Sequence, residues 1–210
     1  MGLILSIQGG MAVGKTTAIQ WLAEHEPLVD CFFEDVQAPL QEVKRRALDK
    51  TNYCDYLEIQ RIFITHEIQR WKMMRQCPCA VVDLGAGEIE FYTLHYPRSI
   101  GKDWPIASAL APELALLRQC KAQRTLFLQA SPNVLRARKE ADASRERGFF
   151  PHSTNILLPM KQQWFHAQPN TDFINTNNLS KEQLCKQVHD WVKQMLMELD
   201  NLSLNIKPFP

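Results

Sequence analysis

The sequence predicts an α/β protein, a three-layer α/β/α doubly wound fold built on a five-stranded parallel sheet. Three observations lead there. Short apolar runs alternate with longer stretches of helical periodicity along the chain, which is the pattern of parallel βαβ units. The first apolar run stops at Gly9-Gly10, and a helix begins a few residues later at Lys15. No internal repeat, low-complexity block or linker divides the 210 residues, a length that suits one α/β domain with its own core. A single domain is expected over residues 1–200, with 201–210 as a loose tail.

Each element follows from its residues. Leu3-Ile4-Leu5-Ser6-Ile7 is the first strand, and Lys15 to Glu24 the first helix. Val29 to Phe33 reads as the second strand. Asp55 to Arg75 is a long helix with apolar residues on more than one face, among them Leu57, Ile59, Phe63, Ile64 and Trp71, so it should be well covered. Ala80 to Asp83 and Thr125 to Leu128 are the third and fourth strands. Ser131-Pro132 offers an N-cap followed by proline at the first helical position. Phe173-Ile174 is a short fifth strand. Ser180 with Gln183 forms a capping box, opening a last helix whose stripe runs through Leu184, Val188, Trp191, Val192 and Met195.

Bulk composition narrows the function classes. Lys+Arg 24 against Asp+Glu 23 leaves a formal charge of +1, which gives no global reason to expect nucleic acid or an anionic membrane as partner. No apolar run approaches the roughly 18 residues that span a bilayer. Leu3 to Ile7 is too short for a secretory leader and lacks a basic flank. Met1 to Ser6 fits the N-myristoylation pattern, but the same residues read more strongly as a buried strand. Six cysteines are scattered at 31, 54, 77, 79, 120 and 185, none with zinc-finger spacing. They read as reduced structural thiols of a cytoplasmic protein.

Gly9-Gly10-Met11-Ala12-Val13-Gly14-Lys15-Thr16 fits G-x-x-x-x-G-K-[ST], between a strand and a helix. Glycines let the backbone curl so that successive N–H groups point at an anion, and the helix N-terminus adds its own. Lys15 is expected to reach the β- and γ-phosphates, the Thr16 hydroxyl to bind Mg²⁺, and Thr17 to complete the loop. Asp83 ends an apolar strand beside the loop, where an acid would hold Mg²⁺ directly or through water and border the second substrate; an ordinary turn acid is the alternative. No Asn-Lys-x-Asp stretch is present to read guanine, so ATP is the expected nucleotide.

After the fourth strand come Arg136, Arg138 and Lys139, then Arg145 and Arg147. Arginine forks grip phosphate oxygens, so the segment from about 136 to 150 reads as a closing lid, with Arg138, Arg145 and Arg147 stabilising the transferring phosphoryl group. Glu140, Asp142 and Glu146 also allow a solvated helix face.

Together these residues resemble the deoxynucleoside kinase and thymidylate kinase branch of P-loop kinases. The likeness spans most of the chain unevenly. It rests on the phosphate loop, on Glu34 directly after the second strand, on Leu57-Glu58-Ile59-Gln60-Arg61-Ile62-Phe63, on the basic lid, on Leu157 to Phe165, and on Phe173 to Leu179. The resemblance implies that Glu34 takes the proton from the acceptor hydroxyl, that Gln60 pairs with the acceptor base, and that Phe173 to Leu179 lies beside the donor adenine. Asp35 competes with Glu34, and Gln60 could equally be a satisfied core amide. Leu84-Gly85 stands where that branch carries an arginine after the strand-end acid, and Gly85 to Gly101 has no counterpart in it.

The expected activity is therefore ATP- and Mg²⁺-dependent phosphoryl transfer to a small-molecule acceptor, nucleoside or nucleotide in type, with Lys15, Glu34 and the lid arginines as catalytic groups. A homodimer stays open. The rival is a regulatory ATPase that senses nucleotide for a partner protein and has no acceptor pocket.

Overall fold

The structure, a computed structural model, describes residues 2–142 and 148–205, with side chains as far as Glu198. Five strands, β1 (Leu3–Gly9), β2 (Asp30–Phe32), β3 (Cys79–Asp83), β4 (Arg124–Gln129) and β5 (Thr171–Asn175), form one sheet in the order β2-β3-β1-β4-β5. Every neighbouring pair is parallel. The fold class expected from sequence is thus the observed one.

Helices pack on both faces. They are α1 (Lys15–His25), α2 (Gln37–Arg45), α3 (Tyr53–Met74), α4 (Ala86–Ser99), α5 (Ile106–Ala109), α6 (Ala111–Arg118), α7 (Pro132–Ala141), α8 (Phe150–His152), α9 (Leu158–His166) and α10 (Lys181–Asn205). A π-helical turn, Ser153–Leu157, joins α8 to α9. Strand residues alternate between faces. Leu3, Leu5 and Ile7 of β1 enter a core with Ala18, Ile19 and Leu22 of α1 and Val188 and Val192 of α10. Ile4 points the other way, onto Met74 of α3, Ala80 and Val82. A third cluster joins Tyr56 and Ile64 of α3 to Phe91 of α4 and Leu114 and Leu117 of α6. Among the described residues no helix is long and apolar enough to cross a membrane.

Local capping follows the sequence closely. Ser131 Oγ accepts from Val134 N at 3.4 Å, with Pro132 opening α7. Ser180 and Gln183 exchange bonds of 2.9 and 3.2 Å. Six helices, α2, α4, α5, α6, α8 and α9, were not anticipated. α2 starts at Val36 without a side-chain cap, α5 has only four residues, and α6 follows it almost at once. α4, which fills Gly85 to Gly101, buries Glu88 and Glu90, so its inward face carries charge and its apolar stripe is broken. α10 also runs on to Asn205, past the boundary expected at 201.

β1 and β3 lie side by side, yet the chain leaves β1 for β2 on one side and leaves β3 for β4 on the other. A crevice opens at the carboxyl ends where neighbouring connections diverge. Ile7 pairs with Asp83 in that register, which sets Asp83 beside the glycine loop.

Candidate active site

The loop after β1 has the backbone its glycines allow. Gly9, Ala12 and Gly14 all have positive φ, at 142°, 61° and 106°. A Cβ on Gly9 would lie 2.6 Å from the Leu128 carbonyl, and one on Gly14 would lie 2.5 Å from Leu184 Cδ2. Gly14 is the N-cap of α1, with no side-chain cap and no acid in the first turn. The first amides of α1 are therefore left for an anion. Lys15 folds back over the loop, its Nζ donating to Gly10 O at 3.1 Å.

Thr16 Oγ1 donates to Asp83 Oδ2 at 3.2 Å. Asp83 is only 2 % exposed, and its Oδ1 has no hydrogen-bond partner. A buried carboxylate oxygen without a partner is costly unless a cation or water completes it. Among the described residues no group of three or more His, Cys, Asp and Glu could hold a metal alone. A hydroxyl, one carboxylate and phosphate oxygens from a substrate are the donor set that suits Mg²⁺, so Thr16 and Asp83 fit the expected ion.

Asp83 is held by a strained turn. Leu84 has φ 70° and Gly85 φ 92° with ψ −168°. The second conformation is open essentially to glycine alone. The Ser6 hydroxyl and the Gln8 amide both donate to the Leu84 carbonyl, and Leu84 N donates to Ile7 O at 3.1 Å. Three bonds to β1 thus fix the unusual backbone between Asp83 and α4.

Two clefts meet at this loop. An outer one, about 370 Å³, is bounded by Ala12 to Thr17, Arg138 and the Leu179–Leu184 region. An inner one, about 360 Å³, lies between Gly9 to Met11, the chain after β2, α3, α4 and the π-helical turn. Lys15 is the residue they share. The inner cleft brings together Glu34, Gln60 and Asp83, as expected, with aromatic walls from Phe63, Tyr92 and Phe149.

Charge in the inner cleft is tightly arranged. Glu34 keeps much of its surface accessible because it fronts the cleft. The surrounding walls still strip water from it, and that desolvation raises its pKa against the pull of Lys15. Arg70, 6 % exposed, pairs with Glu67 at 3.1 Å. It also donates to Phe32 O at 2.9 Å, Phe33 O at 2.7 Å and Asp83 O at 3.3 Å. One guanidinium therefore ties the ends of β2 and β3 together, just before Glu34 and at Asp83. Lys161 of α9 is buried, 2.5 Å from Glu88 Oε2 and 3.0 Å from Gly9 O.

Gln60 lines the cleft, and its amide also bonds within the core. Its side chain lies 2.8 Å from Thr93 Oγ1, which is itself 2.7 Å from Ile89 O. The single Thr93 proton belongs to one of these.

Of the expected lid arginines, Arg138 is described, and it does not line the inner cleft. Arg138 donates to Thr176 Oγ1 at 2.9 Å, Thr176 O at 2.6 Å and Val13 O at 3.3 Å. It fastens α7 to the loop after β5 and borders the outer cleft. That loop, within the Phe173 to Leu179 stretch expected beside the adenine, reaches the same cleft through Leu179. Arg145 and Arg147 lie outside the described residues. Asp35 is near His66, at 3.6 Å.

Sequence reasoning missed Lys161, Glu88, Tyr92 and the tethering role of Arg70. Charged residues on otherwise apolar helical stretches were the available signal. No family model matches the chain, and no curated protein matches it.

Proposed function

We propose that the protein transfers the γ-phosphate of ATP, as its Mg²⁺ complex, to a small-molecule hydroxyl or phosphate held in the inner cleft. The observation that carries this reading is that cleft: a space of about 360 Å³, partly apolar, opening on Lys15 and bordered by Glu34, Gln60 and Asp83. A regulatory ATPase without an acceptor has no use for it, and a packed core would stand in its place.

The chain's own groups divide the work. The loop amides and the α1 N-terminus bind the phosphates, and Lys15 leaves Gly10 O to meet the β- and γ-oxygens. Arg138 and Leu179 border the outer cleft, where the nucleoside part fits. Thr16 and Asp83 would hold Mg²⁺, which supplies charge neutralisation on the phosphates when bound. The acceptor oxygen attacks the γ-phosphorus, the bond from phosphorus to the β–γ bridging oxygen breaks, and ADP keeps that electron pair. For a hydroxyl acceptor the proton passes to Glu34, whose raised pKa suits it to accept one. Aromatic walls exclude water that would otherwise hydrolyse ATP.

The test is an ADP-release assay over nucleosides, nucleotides and small alcohols, with wild type and Lys15→Ala. Acceptor-dependent release that vanishes in Lys15→Ala is the expected result. Release no faster with any acceptor than with water would refute transfer.

A further inference from the structure

Lys161 is an expensive residue for a structural tie. It is buried, and desolvation lowers its pKa against the support of Glu88. A strut between Gly9 O and α4 needs only a neutral donor, whereas burying an ammonium carries a large desolvation cost before pairing. An ammonium has three N–H donors, and the described contacts use two, to Gly9 O and Glu88. Lys161 lines the inner cleft together with Gly9, Gly10 and Lys15.

The other described cations leave this place open. Arg70 is taken up by Glu67 and three carbonyls. Arg138 borders the outer cleft. Leu84 follows Asp83 where an arginine could have stood. Lys15 and Lys161 are then the two lysines lining the space in which a phosphoryl group would pass from donor to acceptor.

We propose that Lys161 is a second phosphate-contacting catalytic residue, donating its third N–H to an oxygen of the γ-phosphoryl group. Glu88 keeps the ammonium charged and aimed in the absence of that oxygen. This rests on the phosphotransferase reading above and adds a named contact to it. A group that touches only the γ-phosphoryl separates ATP from ADP, whereas a strut does not.

The experiment is calorimetry on the full chain with Mg·ADP, Mg·ATP and Mg·ADP plus aluminium fluoride. It compares wild type, Glu88→Gln and the double variant Lys161→Met/Glu88→Gln, which avoids stranding a buried carboxylate. Lys161→Gln, whose amide can still reach Gly9 O, is the second variant should the double one melt early. Expected is Mg·ADP affinity close to wild type, with Mg·ATP and the fluoride complex weakened about 10- to 100-fold, the size of one charge-assisted hydrogen bond. Equal weakening of ADP and ATP, or no weakening, makes Lys161 a strut and overturns this proposal alone. A wild-type chain that binds no nucleotide overturns the phosphotransferase reading as well.

Discussion

The Thr16 hydroxyl and the Asp83 carboxylate stand 3.2 Å apart across 67 residues of chain, joined because β1 and β3 are neighbours in the sheet. Asp83→Asn keeps the shape and removes the charge. Mg²⁺-dependent ATP binding should weaken about 10- to 100-fold, while binding of ATP in excess EDTA changes little. Paired titrations with and without Mg²⁺ check this; equal loss in both would remove Asp83 from the ion site.

Glu34→Gln should lower turnover of a hydroxyl acceptor about 10²- to 10⁴-fold with nucleotide affinity intact. The pH profile carries the sign. A base works above its pKa, and burial raises that of Glu34, so activity should fall on acidification at a pH above the ordinary carboxylate range. For stability the sign reverses. A raised folded pKa means the native state holds the proton more tightly, so ionisation costs stability as pH rises from the unfolded to the folded pKa. Glu34→Gln should therefore melt no lower than wild type at neutral pH. A marked loss of melting temperature would give Glu34 a structural role instead.

Arg70→Met leaves Glu67 buried and uncompensated and frees three carbonyls. The cost should be about 3–5 kcal/mol in denaturant unfolding. Arg70→Lys should recover little of it, because a point charge cannot span both strand ends. Full rescue by lysine would contradict the tethering geometry.

Gly85→Ala forces a side chain onto φ 92°, ψ −168° and sets its Cβ 3.2 Å from Val82 Cγ1. About 1–3 kcal/mol of destabilisation is expected, together with weaker Mg²⁺ dependence as Asp83 shifts. An unchanged unfolding midpoint would show that the turn relaxes freely.

What the sequence revealed was local. Gly14-Lys15-Thr16, the Ser131-Pro132 start and the Ser180–Gln183 box each act within four residues, so spacing alone exposes them. The strands were legible because a buried parallel strand is a short apolar run. Asp83 was found because it ends such a run. Lys161, Glu88 and Arg70 were not, since each owes its meaning to a partner on another element. A lysine in Leu158–His166 looks like any solvated helix residue until α4 delivers Glu88 beside it. α4 was obscured for the same reason: Glu88 and Glu90 are buried against partners that other elements bring.

The two clefts share Lys15 and otherwise have separate walls. Substrates that arrive through different mouths need not queue, and neither product has to depart before the other partner binds. For the proposed reaction this means direct transfer within a ternary complex, assembled in either order, giving intersecting double-reciprocal plots and no phosphorylated protein along the way.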